Sequence, residues 1–456
     1  MAVERIREAR DTRALGTDSV GRLLARFSGP AILAMLVGVI YNATDRWFIS
    51  RYVGHAGMAA LAVAMPLFLG VIAIELMTGI GGGALFSIRL GEGRPEEAER
   101  VLGATFALQV VLGLLFVLIS LLWLGPLLVF LGAGEATFPL AREYMAIVSF
   151  WAVLDIVGYG LNHFIRALGY PMRAMFNTSI GAVMNIILDY VFMARMGMGM
   201  AGAALGTILG WSVPFVLVLR FLAGKKSAVR LRLENIRPDA GMMFEVFKFG
   251  LSPFMLHMSS VVVVFMINRA FGRYSGDAGI AAFSIAHTIS MMCVMPVFGI
   301  TQSMQSIAGF NFGAGKPGRV RHVVRLTLFA SAVWLLLCWA VVQSSAPGLV
   351  GLFDDGSGGG LMEISARILR MIAMFMPLFG LIFVAGTLCL AIGRYKASLW
   401  FNIVRELLIQ ASLLAVFPVF WGLDGAMWAI PSSDLVCIMI AIALLSWAYK
   451  GLRRKG

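Results

Sequence analysis

The sequence predicts an all-α polytopic membrane protein with twelve transmembrane helices in two pseudo-symmetric six-helix lobes. Two observations carry this prediction: long apolar runs recur along the whole chain, and the two halves resemble each other. Of the 456 residues, 60% are hydrophobic and only 13% are charged, which is far more apolar than a soluble globular protein. Each run of about 20 apolar residues is long enough to cross a bilayer as a helix.

Breaks that carry Gly, Pro or charge separate the apolar runs. The predicted spans are 27–50, 58–86, 101–124, 138–165, 172–194, 201–223, 242–270, 278–310, 322–345, 362–391, 398–420 and 425–448. The corresponding domains are an N-terminal segment 1–26, an N-terminal lobe 27–223, a linker 224–241, a C-terminal lobe 242–448 and a basic tail 449–456.

The distribution of basic residues predicts the orientation. With both termini inside, 29 of the 37 Lys and Arg residues lie at inner ends and in inner loops, and 8 lie outside. This bias predicts a multi-pass protein of the plasma (inner) membrane with cytoplasmic termini. The net charge of +13 therefore reflects topology, and no nucleic-acid partner is expected. Residues 1–22 lack the apolar core of a cleavable signal peptide.

An internal repeat relates the halves. RYVGHAGMAALAVA at 51–64 matches RYSGDAGIAAFSIA at 273–286 with eight identities in fourteen positions, at an offset of 222. GEGRP at 91–95 matches GAGKP at 313–317 at the same offset. Six spans separate the copies, so both halves share one orientation. Such parallel repeats are typical of secondary transporters.

Polar side chains in the outer half of the first lobe carry the strongest chemical signal. Six are predicted at similar depth: Asn42, Asp45, Tyr144, Asn185, Asp189 and Thr207. Intramembrane charges are expensive and usually mark an ion path. Two carboxylates with Asn and Thr oxygens suit a metal cation such as Na⁺, and a dry carboxylate pair equally suits a proton carrier.

The repeat helps to separate function from folding. Asp45 aligns with Ile267, and Asp189 aligns with Ser412 or Leu413 at an offset of 223 or 224. Both carboxylates therefore belong to the first half alone, which favours a functional role. The structural alternatives are an Asp45–Arg46 pair and a static hydrogen bond to Asp189.

Other intramembrane charges are weaker candidates. Glu75 and Asp155 near mid-membrane could line a cavity or bind a buried partner, and Asp434 has a weaker case for function. Arg405 and Glu406 are predicted to pair with each other. Two histidines are predicted as core residues: His257 and His287.

The chain resembles the multidrug and toxic compound extrusion (MATE) family over nearly its whole length. The resemblance rests on YNATDRWFISRYVG, RALGYP at 166–171, MNIILDYVF followed by GMAGAALGT, and GFNFGAGKPGRV at 309–320. It implies two six-helix lobes forming a V around a central cavity, and export of organic, often cationic compounds by Na⁺ or H⁺ antiport.

The resemblance also implies a first-lobe cation site. The family's site residues fall on Asp45, Tyr144, Asn185, Asp189, Ala203 and Thr207, and a sodium-coupled member would bind Na⁺ through Asp45, Asn185, Asp189 and Thr207. Another branch of the family uses acids in the second lobe, on helices 7 and 10. This chain has only Glu245 and Glu363 near the ends of those spans, so no such site is expected.

The predicted function is a cation-coupled antiporter acting as a monomer in the bilayer on small organic, cationic or amphipathic substrates. No cofactor is expected beyond Na⁺ or H⁺ as the coupling ion. A lipid-linked oligosaccharide flippase of the same superfamily is the alternative, although few Lys or Arg residues lie in mid-span to bind a pyrophosphate. An intramembrane transferase is the third reading, but the usual enzyme motifs are absent.

Overall fold

The computed structural model describes residues 12–224, 227–232, 234, 239–352 and 359–453, and these form helices and turns without a strand. The predicted linker and both terminal segments lie partly outside the described residues. The helices of the first half are α1 (Val20–Tyr52), α2 (His55–Gly91), α3 (Pro95–Leu122), α4 (Leu124–Phe130), α5 (Phe138–Phe150), α6 (Ala152–Ala167), α7 (Pro171–Asp189) and α8 (Gly199–Ala223). A π-helical segment, Tyr190–Arg195, continues α7.

The second half begins with a long, kinked helix. Its helices are α9 (Ala240–Gly313), α10 (Pro317–Gly351), α11 (Gly359–Ile372), α12 (Phe379–Ala391), α13 (Tyr395–Ile403) and α14 (Ala411–Arg453). A 3-10 turn, Met376–Leu378, joins α11 to α12, and a π-helical segment, Val404–Gln410, joins α13 to α14.

The predicted all-α polytopic fold is confirmed. Among the described residues, ten helical segments are long and apolar enough to span a membrane, and the pair α5 and α6, bent by 53°, gives an eleventh. The segment Tyr395–Arg453 has 59 residues, enough for two crossings of about 20 residues each. It is broken at Gly422, where φ is 56°, and it contains the last two predicted spans. Several helices extend beyond the predicted spans: α1 begins at Val20, within the predicted N-terminal segment, and α14 extends to Arg453.

Helix ends repeat between the halves because the same residue types occupy them. Gly93 and Gly315 both have positive φ, 74° and 66°, a backbone conformation that ends helices and that glycine adopts without strain. Pro95 and Pro317 then open α3 and α10, where a proline loses no hydrogen bond.

Further glycines follow the same register. Gly54 and Gly276 have φ of 83° and 60°, and Gly199 and Gly422 both have φ of 56°. The sequence repeat is therefore also a repeat of backbone geometry. Between Gly199 and Gly422 the offset is 223 residues, which is the slightly longer offset expected towards the end of each half.

The chain divides into two compact units. The first comprises Gly29–Phe254 with the segment that ends at Asp18, and the second comprises Ser19–Ser28 with Met255–Gly456. The division falls inside α1 and inside α9. The predicted lobe boundaries lie elsewhere, before and after the linker, and they stay a prediction.

Each unit has its own apolar core. In the first, a cluster of buried side chains includes Ile49, Met145 and Met193. In the second, another is built around Phe271, Leu335 and Leu369. Large apolar side chains also face outward, among them Phe130 at 86% and Phe420 at 72% exposure. Such exposure suits a lipid-facing surface.

Candidate functional site

Glycines bring α7 and α8 into close contact in the first unit. A Cβ on Gly210 would lie 2.9 Å from the Cβ of Asn185, and one on Gly181 would lie 2.7 Å from the carbonyl oxygen of Gly210. A Cβ on Gly206 would overlap Oδ1 of Asp189. The small residues therefore let two polar side chains of α7 lie against the backbone of α8.

Four buried oxygen-bearing side chains form the predicted group. Asp45 on α1 is 8% exposed, Asn185 and Asp189 on α7 are 2% and 0% exposed, and Thr207 on α8 is 1% exposed. The Nδ2 of Asn185 donates a long hydrogen bond of 3.5 Å to Oδ1 of Asp189. These two residues share a helix face, as their spacing predicts.

Three of these four side chains retain an oxygen without a protein partner. Among the described residues, Asp45 Oδ1, Asn185 Oδ1 and Asp189 Oδ2 are buried and accept no hydrogen bond, whereas the Thr207 hydroxyl interacts with Tyr144. Buried polar atoms are normally satisfied. Three such oxygens on two helices, with Thr207 on a third, match the donor chemistry of a metal cation such as Na⁺, or of a proton site.

Tyr144 and Ala203 lie in the apolar wall of the same region. Both belong to the buried cluster of the first unit, at 3% and 0% exposure. Tyr144 on α5 interacts electrostatically with Asp45 and Asp189, and the two carboxylates interact with each other. The structure therefore brings together residues from four helices that are far apart in sequence.

Asn42 is not part of the buried group. It is exposed, and its Nδ2 donates a 2.8 Å hydrogen bond to the carbonyl oxygen of Gly38 on its own helix. A role in lining a cavity stays a prediction for this residue. Arg46 interacts electrostatically with Asp45, but it leaves Oδ1 of Asp45 unpartnered.

Two features of the site have no clear signal in the sequence. The helix changes to π-helical geometry at Tyr190, directly after Asp189, and such segments are frequent at functional sites. The other feature is the contact between Gly206 and Asp189. The small-residue patterns GAALG at 202–206 and GTILG at 206–210 predict close helix packing, but they do not reveal which side chain the packing holds in place.

The family model MatE matches residues 30–191 and again residues 253–416. The chain belongs to the MATE family of membrane transporters. The double match also covers both halves of the internal repeat.

Relatives of this MATE transporter include Multidrug export protein MepA of Staphylococcus aureus (strain NCTC 8325 / PS 47), which is 23% identical over 426 residues and 93% of each chain. The protein of the same description from Staphylococcus saprophyticus is 23% identical over 428 residues and 94% of each chain.

Solved structures share the fold. An outward-facing multidrug resistance MATE family transporter of the MOP superfamily superimposes with a TM-score of 0.91 at 23% identity, over 97% of this chain and 98% of the other. A MOP superfamily transporter from Pyrococcus furiosus, described as having a binding pocket of reversed polarity, gives the same score, identity and coverage.

A second polar cluster lies in the first unit of this MATE transporter. Glu75 interacts electrostatically with Asp155 and Arg166, and its Oε1 lies 3.9 Å from Nε2 of His163. Tyr41 on α1 interacts with both Asp45 and Asp155, so it connects the two clusters. The partners expected for Glu75 and Asp155 are thus present, and a cavity role stays a prediction.

The acids considered for a second-lobe site belong to different units. Glu245 belongs to the first unit, where its Oε1 accepts a 3.2 Å hydrogen bond from Arg89, and Glu363 is exposed. Arg405 and Glu406 pair at 3.2 Å, as predicted. The histidine predictions were wrong: His257 is exposed, and His287 is only partly buried and stacks on Phe283.

Proposed function

We propose that this transporter is a cation-coupled antiporter that exports organic compounds by alternating access. The coupling ion, Na⁺ or H⁺, binds in the first unit at Asp45, Asn185, Asp189 and Thr207, with Tyr144 and Ala203 as the adjoining wall. One observation carries the proposal: Asp45, Asn185 and Asp189 are buried together and each retains an unpartnered oxygen.

In the proposed coupling, the ion and the exported compound compete, because each stabilises a different conformational state of the first unit. An ion arriving from outside neutralises the carboxylates, which changes the packing of α1 and lowers the affinity for the exported compound. Coupling requires the ion to bind one conformation more tightly than the other. Asp45 suits this role because it lies on α1, whereas its partners lie on α7 and α8.

The proposed substrates are small cationic or amphipathic organic molecules. Support comes from the two buried carboxylates Asp45 and Asp189 of the first unit and from the 28 Met and 32 Phe residues of the chain, since Met-rich surfaces adapt to varied apolar ligands. The relatives from staphylococci are named as multidrug export proteins, which agrees with such a substrate class.

The proposed setting is the cell membrane, with both termini in the cytoplasm and the chain acting as a monomer. The uneven distribution of Lys and Arg supports the orientation. A fluorescent protein fused to the C-terminus should fluoresce, whereas alkaline phosphatase at the same place should be inactive; the reverse pattern would contradict the orientation.

The deciding experiment is ethidium efflux from proteoliposomes under an imposed Na⁺ gradient or an imposed pH gradient, applied separately. Wild type is compared with Asp45→Asn and Asp189→Asn. Asp424→Asn is the matched control, because Asp424 is exposed and pairs with Arg367 at 2.8 Å, away from the first unit. Thermal unfolding in detergent reports whether each variant is folded.

We expect both first-unit variants to lose gradient-driven efflux while the control keeps it, and the effective gradient then identifies the ion. Unchanged efflux in Asp189→Asn would contradict the proposed coupling site. If folded wild type exports nothing under either gradient, stimulation by lipid-linked oligosaccharide would favour the flippase instead.

A further inference from the structure

The second unit contains a pocket of about 160 Å³ whose wall is mostly apolar. Four of its polar residues come from three different helical segments: His287 on α9, Arg405 and Glu406 on the π-helical segment, and Asp434 on α14. Every residue that lines it belongs to Met255–Gly456. The pocket is therefore separate from the cation site described above.

The charges around this pocket do not cancel. Arg405 is committed to Glu406 by the 3.2 Å ion pair, in which their side chains are 18% and 5% exposed. The guanidinium of Arg405 also lies over the Phe383 ring, 5.5 Å from its centroid. Asp434 interacts electrostatically with both members of the pair. The pocket therefore has two carboxylates, Glu406 and Asp434, against the single cation of Arg405.

The walls favour an organic ligand over a metal ion. A metal ion needs several converging oxygens, and no group of three His, Cys, Asp or Glu side chains suited to a metal occurs among the described residues. Here the lining is largely apolar and includes Ile267, Ile430 and Phe283 beside Asp434. An apolar wall with few polar groups is the usual composition of a small-molecule site.

The volume limits the ligand to about one ring. A protein cavity of about 150 Å³ accepts benzene, so a pocket of about 160 Å³ suits a single aromatic ring with a short charged arm. Phe283 and Phe383 add aromatic surface to the wall, where His287 stacks on Phe283 and Arg405 lies over Phe383. Met291 also lines the pocket and is 38% exposed, and its flexible side chain can adapt to the bound group.

Two independent features mark the same place. The π-helical segment Val404–Gln410 presents Arg405, Glu406 and Gln410 to the pocket, and local π-helices are frequent at functional sites. Ile267, the repeat counterpart of Asp45, also lines this pocket. The second unit therefore has its pocket where the first unit has its cation site, with charges supplied from other positions.

We propose that the second unit binds a small aryl- or alkylammonium ion in this pocket, with the Asp434 carboxylate against the ammonium group and Phe283, His287 and Phe383 around the apolar part. Binding at this place does not depend on the proposed coupling mechanism. It can be measured without transport.

The test uses the purified full chain in detergent, titrated calorimetrically at neutral pH with benzylamine, which is then cationic. Benzyl alcohol is the neutral probe of nearly the same shape. The variants are Asp434→Asn and, as the matched control on the same helix, Asp424→Asn.

We expect wild type to bind benzylammonium at least about tenfold more tightly than benzyl alcohol, the order expected for one charge-assisted hydrogen bond. Asp434→Asn should remove that preference, whereas Asp424→Asn should keep it. The proposal is overturned if wild type binds both probes equally, if the preference survives Asp434→Asn, or if a folded Asp424→Asn loses it.

A second variant covers the case in which Asp434→Asn does not fold. Met291→Trp fills the mouth of the pocket but retains Asp434, and it should weaken binding of both probes by about tenfold or more. Unchanged binding in a folded Met291→Trp would also overturn the proposal, because the ligand would then occupy another place.

Discussion

Gly206 lets α8 pack closely against Asp189 of the proposed cation site, and replacing it with alanine tests whether that packing matters for ion binding. The new Cβ would overlap Oδ1 of Asp189 and lie 3.2 Å from its Cγ and 3.3 Å from its backbone nitrogen. Rotating the carboxylate cannot relieve the last of these contacts, because a backbone atom makes it. Either α7 moves away from α8, or the whole of Asp189 shifts.

The two contributions to the stability of Gly206→Ala partly offset each other. Overpacking of this size costs about 1–3 kcal/mol, whereas alanine in a helix is favoured over glycine by about 1 kcal/mol. The net loss of stability is therefore about 0–2 kcal/mol, and we expect a folded protein. The effect on ion binding should be larger, because Oδ1 and Oδ2 of Asp189 belong to the site itself.

We expect the concentration of coupling ion that half-saturates ethidium efflux to rise at least about tenfold in Gly206→Ala, equivalent to ~1.4 kcal/mol. Gly38→Ala on α1 is the matched control, since a Cβ there meets no other atom within 4 Å. If Gly206→Ala transports with a half-saturating concentration within about twofold of wild type, the close approach of α7 and α8 does not position Asp189.

Further substitutions separate ion binding from backbone geometry. Thr207→Val should raise the half-saturating ion concentration, because it removes the Oγ1 oxygen. Thr207→Ser should retain function, and Thr327→Val, which removes an unpartnered buried hydroxyl of the second unit, should leave transport unchanged. Equal transport by Thr207→Val and wild type would remove Thr207 from the site. Gly54→Ala and Gly276→Ala should each lower stability by about 1–2 kcal/mol, because both need the left-handed backbone. Thermal unfolding beside Gly38→Ala measures this, and an effect at only one position would argue against equivalent helix ends.

Local chemistry made most of the fold predictable. Apolar length predicted the spans, and the Gly-x-Pro breaks at 93–95 and 315–317 mark helix ends in both halves. The bend at Trp151, between α5 and α6, had no such signal, because neither Gly nor Pro lies beside it. The predicted span 138–165 is therefore two helices bent by 53°, a feature that depends on packing.

The site was predictable to the level of individual side chains but not of their contacts. A carboxylate within an apolar span is conspicuous, so Asp45 and Asp189 stood out. Asn42 and Asp45 are close in sequence on one helix, yet one is exposed and the other is 8% exposed, because neighbouring helices determine burial. To predict the role of Gly206, one must know which residues of α7 and α8 lie opposite each other. The sequence pattern of a single helix does not contain that information.

The repeat gives the two halves a common backbone and different chemistry. Glycines with positive φ recur at matching positions, so the helix ends must have been retained for the fold. The charges do not recur: the first unit has Asp45 where the second has Ile267, and the second has its carboxylates at Glu406 and Asp434. If both pockets bind cations, their ligands must differ, because the first offers unpartnered oxygens and the second offers aromatic rings around one excess charge. A small inorganic ion suits the first arrangement and an organic ammonium suits the second. The Asp45→Asn and Asp434→Asn variants should therefore fail in different assays, the former in gradient-driven coupling and the latter in recognition of benzylammonium.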